Sequence, residues 1–314
     1  MYTHMKHIFL WALALIVTLP ATRLHAQEQT CPPHQFVDGF CTVCKQLDEE
    51  YLYPDQQGYY QIATPQALRW FAEYVALDAE HASLCARITA NLDMANVAFP
   101  GLGSNTTPYE GEFDGGGHTI TNLVINKSSE SGVGFINVGN ANTWLHDLTL
   151  GSGCSITGSR YVAGFIGKVD NKKGKEIHVQ RLGFEGIVNV NNNGGAIIGC
   201  VPDNSVHAYL QSCYSTGTIY GKYDNGALCG WASYAHVKNC YVRVKGNGFE
   251  SGSDVVRGWT PMKFHNTYAS GAAQKSDGLG TFTTTEMQNG TLLNKLADPA
   301  YKQEEGDDNP KLKK

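Results

Sequence analysis

The chain has 314 residues, a formal net charge of −5 and 35 glycines, with charged residues making up only 17%. A weakly acidic balance opposes a dedicated binder of nucleic acid or of an anionic membrane, since either needs a basic face. The glycines follow no period of three, which excludes collagen. In chain order the first element is a targeting segment. Lys6, flanked by His4 and His7, precedes an apolar run from Ile8 to Leu19 that Pro20 ends. That run has 12 residues, short of the ~20 a bilayer span needs. Leu24-His25-Ala26 is an acceptable signal-peptidase site, so residues 1–26 read as a signal peptide. This predicts export to the cell surface, periplasm or medium, with no membrane span. Cleavage would remove Lys6 and Arg23 and no acid, lowering the net charge to −7.

All nine cysteines stay in the mature chain, and an odd count in an oxidising compartment predicts at least one that is unpaired or holds a metal. Residues 27–48 form a small cysteine- and histidine-containing module. Within it Cys31, His34, Cys41 and Cys44 stand as two pairs separated by two residues each, the spacing of a compact structural zinc knuckle. A disulfide from Cys31 to Cys41 or Cys44 is the competing expectation in an exported chain. Residues 49–100 read as an N-terminal cap. Thr64-Pro65 opens a helix over about Pro65 to Leu77, with Thr64 as N-cap and Pro65 at the first helical position. Leu68, Phe71 and Val75 share one face of it. Such a helix would cover the open sheet edge at a solenoid's end. A strand follows over Arg87–Leu92, with Ile88, Ala90 and Leu92 directed inward.

Residues 101–280 hold 31 of the 35 glycines and two interleaved repeats. One phrase is apolar, turn, small apolar: Ile120–Asn122–Leu123, Leu145–Asp147–Leu148, Val179–Arg181–Leu182, Leu210–Ser212–Cys213, Val237–Asn239–Cys240 and Phe264–Asn266–Thr267. The steps between the last residues are 25, 34, 31, 27 and 27. The second phrase is Gly134-Phe135-Ile136, Gly164-Phe165-Ile166-Gly167, Ala196-Ile197-Ile198-Gly199 and Ala227-Leu228-Cys229-Gly230. Short strands repeating at this period without long helices predict an all-β solenoid, a parallel, right-handed β-helix with an N-terminal capping helix. A β-sandwich of short strands is the alternative. Leu123, Leu148, Leu182, Cys213, Cys240 and Thr267 should form one inward row, each preceded by a residue in left-handed geometry. Residues 281–314 read as a C-terminal cap and tail.

The Gly-Phe-Ile-Gly series, the Asn-Cys-Tyr phrase and the run Phe113-Asp114-Gly-Gly-Gly-His118-Thr119-Ile120 resemble the bacterial GLUG-motif proteins, named for Gly, Leu, an uncharged residue and Gly. The resemblance covers about Tyr59 to Pro310, including Gly58-Tyr59-Tyr60-Gln61-Ile62 and the tail residues Gln303, Gly306, Asp308 and Pro310. It implies export, a β-helical stalk and an adhesin-like, cell-surface setting, and it implies no reaction. Asn137 in place of Gly and Arg181 in place of an Asn-like turn residue predict irregular coils at those points.

Cys213 and Cys240 share a repeat position, where inward packing is expected ahead of a disulfide. Tyr214, Tyr241 and Tyr268 follow that position at a constant step and predict an aromatic ladder, either a glycan platform or lateral stacking that stabilises the coil. His146, His178, His207 and His236 stand at unequal distances before the repeat position and predict no shared metal face. A carbohydrate-active enzyme would need stacked carboxylates. Asp170-Asn171 and Asp203-Asn204 follow successive repeats but are ordinary turn chemistry. No catalytic residue is assigned. The sequence therefore points to an exported scaffold that binds glycan or an extracellular or envelope protein. A polysaccharide lyase or hydrolase and an envelope assembly subunit are the alternatives.

Overall fold

The computed structural model describes residues 33–50, 52–170, 174, 176–202, 206–249, 255–258, 262–271 and 277–314. The signal segment and Cys31 lie outside them. The chain divides into two compact units, Met1–Gln46 and Leu47–Lys314.

The larger unit is a β-solenoid of about seven turns. Among the described residues three parallel sheets run along it, of 13, five and three strands. The largest carries, in register, Glu112–Thr121, Trp144–Leu150 and Glu176–Phe184, then His207–Gln211 with Tyr214–Ser215, and Tyr234–Lys238 with Tyr241–Arg243. The second holds Val124–Val133, Ser155–Ala163, Ile187–Asn189, Asn192–Gly195 and Thr218–Tyr220. Ile136–Gly139, Ile166–Val169 and Ile198–Cys200 form the third.

Each turn residue of the first repeat phrase adopts left-handed geometry: Asn122, Asp147, Arg181, Ser212, Asn239 and Asn266 have φ between 47° and 56°. The left-handed residue lets the apolar residue two positions before it and the residue after it both point inward, and Leu145, Leu148, Leu182, Cys213, Cys240 and Thr267 are all wholly buried. Arg181 therefore causes no irregularity. Its guanidinium forks onto both carboxylate oxygens of Asp147 one coil earlier, which holds the corner.

Leu123 is the exception to the predicted row. Leu148 pairs with His118, because the run Gly115–Gly117 shifts the register by two residues between Asp114 and His118. Leu123 belongs to the next corner, where its carbonyl accepts from the Ser155 amide at 2.8 Å. The 25-residue step is shorter than the others because Leu123 stands five residues beyond His118, the residue that pairs with Leu148. The strand expected over Arg87–Leu92 is also broken. Cys85–Ile88 and Leu92–Asp93 are separate, and Ala90 is only half-buried.

The second phrase builds the three-stranded side. Phe135, Phe165, Ile197 and Leu228 are wholly buried, and the closing glycines have backbone against them. A Cβ on Gly199 would lie 2.5 Å from the Gly167 carbonyl oxygen and 2.7 Å from the Tyr161 carbonyl carbon and the Val162 nitrogen. Only glycine lets the coils approach so closely. Asn137 stands at the N-terminal end of this series and keeps the coil regular. Its amide donates to the Pro100 carbonyl at 2.9 Å and fills the space that later coils give to backbone.

Helix α1, Pro65–Val75, starts two residues after Ala63, with Thr64 Oγ1 accepting from the Ala67 amide. It buries Leu68, Phe71 and Val75, and Phe71 packs edge-on against Phe113. The C-terminal segment adds two short helices, α2 (Thr284–Gln288, opened by a Thr283–Glu286 capping box) and α3 (Thr291–Leu296). Their apolar residues Met287, Leu292 and Leu296 join Phe282 and Tyr301 over Tyr214 and Tyr241.

Candidate functional site

The left-handed corner divides the outer face of the 13-stranded sheet into two halves with different fates. After the corner, the outward row runs Thr119, Thr149, Gly183, Tyr214, Tyr241 and Tyr268. The three tyrosines align as expected, and the rings of Tyr214 and Tyr241 stack at 5.2 Å and 5°. They are not a platform. The C-terminal segment covers them, leaving Tyr214 1% and Tyr241 0% exposed. Tyr214 donates to Glu185 at 2.7 Å, Tyr241 donates to the Pro310 carbonyl, and Tyr268 Oη lies 3.2 Å from the Lys295 carbonyl oxygen it donates to. A glycan would have to displace the cap to reach these rings, so the ladder is architectural.

Before the corner, the outer face is open. One row runs Glu112, Trp144, His178, Tyr209, His236 and Lys263 in direct register. A second, two residues N-terminal in each strand, places Glu176, His207 and Tyr234 side by side. Rings therefore alternate as a checkerboard. His178 stacks on Tyr209 at 4.6 Å and 5°, Tyr209 on His236 at 4.5 Å and 6°, and His207 on Tyr234 at 4.6 Å and 16°. Trp144 is 42% and Tyr234 37% exposed, while His178 is also exposed. Because neighbouring rings use up one another's faces, the ladder offers solvent mainly its edges: imidazole nitrogens and phenol hydroxyls at the inter-strand spacing of ~4.8 Å. Glu176 already engages two of them, contacting His178 Nε2 at 3.2 Å and accepting from Tyr209 at 3.3 Å. Burial, Lys263 and His207 together hold the His236 pKa below its ordinary value, which favours the neutral ring.

A third outward row begins Arg87, Asp114, His146 and Gln180. His146 is nearly buried and has both nitrogens occupied, Nδ1 at 2.6 Å from Asp147 and Nε2 at 3.1 Å from Glu112. Burial disfavours its charged form, but the bonds to Asp147 and Glu112 and the Asp114 charge outweigh that and raise its pKa. Burial likewise opposes an ionised Asp147, yet Arg181 and His146 draw its pKa down to about 2. Asp114, His146 and Asp147 lie close enough to share an ion. Arg87 on Asp114 at 2.7 Å and Arg181 on Asp147 already supply that positive charge. The cluster is a polar staple across coils. A general base would need a nitrogen free for substrate, and His146 has none.

Of the predicted metal ligands, His34, Cys41 and Cys44 come together: their ligand atoms all lie within 4.8 Å of one another. Cys31, Asn171, Asp203 and Asn204 lie outside the described residues, and Asp170 is buried, its amide donating to the Gly139 carbonyl at 2.7 Å. Cys213 and Cys240 pack inward without a disulfide, the Cys213 amide 3.3 Å from Cys240 Sγ. Burial pushes the thiols of Cys154 and Cys229 up to about 11 and about 12, so these core cysteines are unreactive. No described helix is long and apolar enough to cross a membrane.

No family model matches the chain. Halomucin of Haloquadratum walsbyi is 32% identical over 100 residues, which is 32% of this chain and 1% of that protein. Among solved structures, the chain is similar to a Bacteroides ovatus protein provisionally assigned as an immunoglobulin A1 protease. The TM-score is 0.51 at 16% identity, over 82% of this chain and 93% of the other. At that identity the likeness shows a shared β-helical fold.

Proposed function

We propose that this chain is an exported, non-catalytic β-solenoid of the GLUG-motif type that binds a glycan along the open half of its large sheet. One observation carries the reading: His178, Tyr209, His236, His207 and Tyr234 form an aligned, solvent-facing set of ring edges. A row of donors and acceptors in register with the strands suits an extended polyhydroxylated chain, which offers matching hydroxyls along its length. The exposed Trp144 at the end of the row adds apolar surface for a sugar ring. The saturation of His146 and Asp147 favours binding over cleavage.

The test is a glycan array followed by titration of the best ligand, with oligosaccharide products assayed on the same panel. Tyr209→Ala should weaken binding about three- to tenfold, the loss of roughly 0.6–1.4 kcal/mol, while the melting temperature stays close to that of wild type. Tyr209 is half-buried between His178 and His236 on the outer face and lies outside the core, so its truncation should cost little stability. Absence of any bound glycan, or release of oligosaccharides, would contradict the reading. Capture of an envelope or host protein by the same face would replace the glycan with a protein ligand.

A further inference from the structure

The small N-terminal unit has a shape its apolar residues do not explain. Phe36–Val37 and Phe40–Cys41 form an antiparallel hairpin, with Phe36 opposite Cys41 and Val37 opposite Phe40. Its two-residue turn places Asp38 and Gly39 both in left-handed geometry, the pattern of a tight hairpin turn. A second tight turn follows at once. The Cys41 carbonyl accepts from the Lys45 amide at 3.1 Å, the Cys41 amide donates to the Gln46 carbonyl at 2.9 Å, and Lys45 is left-handed at φ 62°. The two turns bring Cys41 and Cys44 to the same place as His34.

Little hydrophobic burial holds this arrangement. Phe36 is 38%, Val37 65% and Val43 55% exposed, whereas Cys41 is wholly buried. A unit this small, with Phe36, Val37 and Val43 among its described residues in solvent, needs a cross-link or a metal to keep one conformation. The ligand geometry selects between them. Zinc bound tetrahedrally, at ~2.3 Å to sulfur and ~2.0–2.1 Å to nitrogen, sets the sulfur and nitrogen about 3.5 Å apart and two sulfurs about 3.8 Å apart. Cys44 Sγ stands 3.5 Å from His34 Nδ1, and all three ligand atoms are within 4.8 Å of one another.

We propose that His34, Cys41 and Cys44 hold a structural zinc ion. These three soft ligands all come from the described residues, whereas Cys31, the remaining member of the sequence pattern, lies outside them. The inference is independent of the glycan reading, since the ligands lie in the smaller unit and the binding face in the larger.

The full mature chain should carry about one equivalent of zinc by elemental mass spectrometry. Exchange for cobalt(II) should give the intense visible bands of a tetrahedral site and the near-ultraviolet thiolate charge-transfer band. Cys44→Ser and His34→Ala should each lose most of the metal, whereas Cys85→Ser should keep it, and the melting of the solenoid should be the same in all three. A metal-free wild type, prepared without chelator and showing a disulfide among residues 31, 41 and 44 by peptide mapping, would overturn the proposal. So would zinc retained at one equivalent in both ligand variants.

Discussion

Tyr241→Ala is expected to destabilise the solenoid by about 3–5 kcal/mol, the cost of removing a large core aromatic. The ring is wholly buried although it sits on the outer surface of a strand. Tyr214 covers one face at 5.2 Å, and Phe282 and Tyr301 meet it edge-on at 6.2 and 5.6 Å. Its hydroxyl accepts from Asn309 Nδ2 at 2.7 Å and donates to the Pro310 carbonyl, so truncation also strips partners from the buried tail. The melting temperature should fall by about 10 °C, and limited proteolysis should begin in residues 282–312. Tyr241→Phe removes only the hydroxyl and should cost about 1–2 kcal/mol. A Tyr241→Ala protein that melts with wild type would mean that the cap does not hold the coil as described.

The second large effect is on acid stability. Asp147 has a folded pKa of about 2 against an ordinary value of 3.8, and its side chain is 20% exposed. A depressed carboxylate stabilises the fold fully above its ordinary value, and the stabilisation is lost as pH falls through the folded value. At ~1.4 kcal/mol per unit this is about 2 kcal/mol, withdrawn between about pH 4 and pH 2. His146 works in the opposite direction. Its raised pKa contributes stability present in full below its ordinary 6.5 and lost as pH rises through the higher folded value. The pair together is strongest between about pH 4 and 6.5. Asp147→Asn keeps the left-handed corner, which asparagine tolerates well, and removes the charge. Urea midpoints of that variant should fall less steeply than wild type from pH 4 to pH 2. Identical acid slopes in the two proteins would place the sensitivity on another carboxylate.

The repeat made the coil legible because each rung carries its own small version of the same problem: two inward side chains, a left-handed residue between them, and a glycine where backbones meet. Even Arg181 and Ser212 obey it, since the strand ladder on both sides fixes the corner. The register of the first rung was not legible, because three glycines insert residues without any side chain to mark them. The exposed ladder does carry a signal in the sequence. Four residues before Leu148, Leu182, Cys213, Cys240 and Thr267 stand Trp144, His178, Tyr209, His236 and Lys263. The histidines alone are unevenly spaced because tyrosine and tryptophan alternate with them in the row. The burial of Tyr241 depends on Asn309 and Pro310, 68 and 69 residues further on, and no local pattern announces that contact. Sequence spacing could align the tyrosines but could not say that the tail returns to cover them.

The proposed glycan site is the open half of the large sheet, before the corner. Amide hydrogen exchange with and without a saturating glycan tests this most directly. The account predicts added protection in the strands Glu176–Phe184, His207–Gln211 and Tyr234–Lys238, and an unchanged rate across the capped row from Tyr214 to Tyr268. Protection confined to the capped row, or to the three-stranded side, would contradict it.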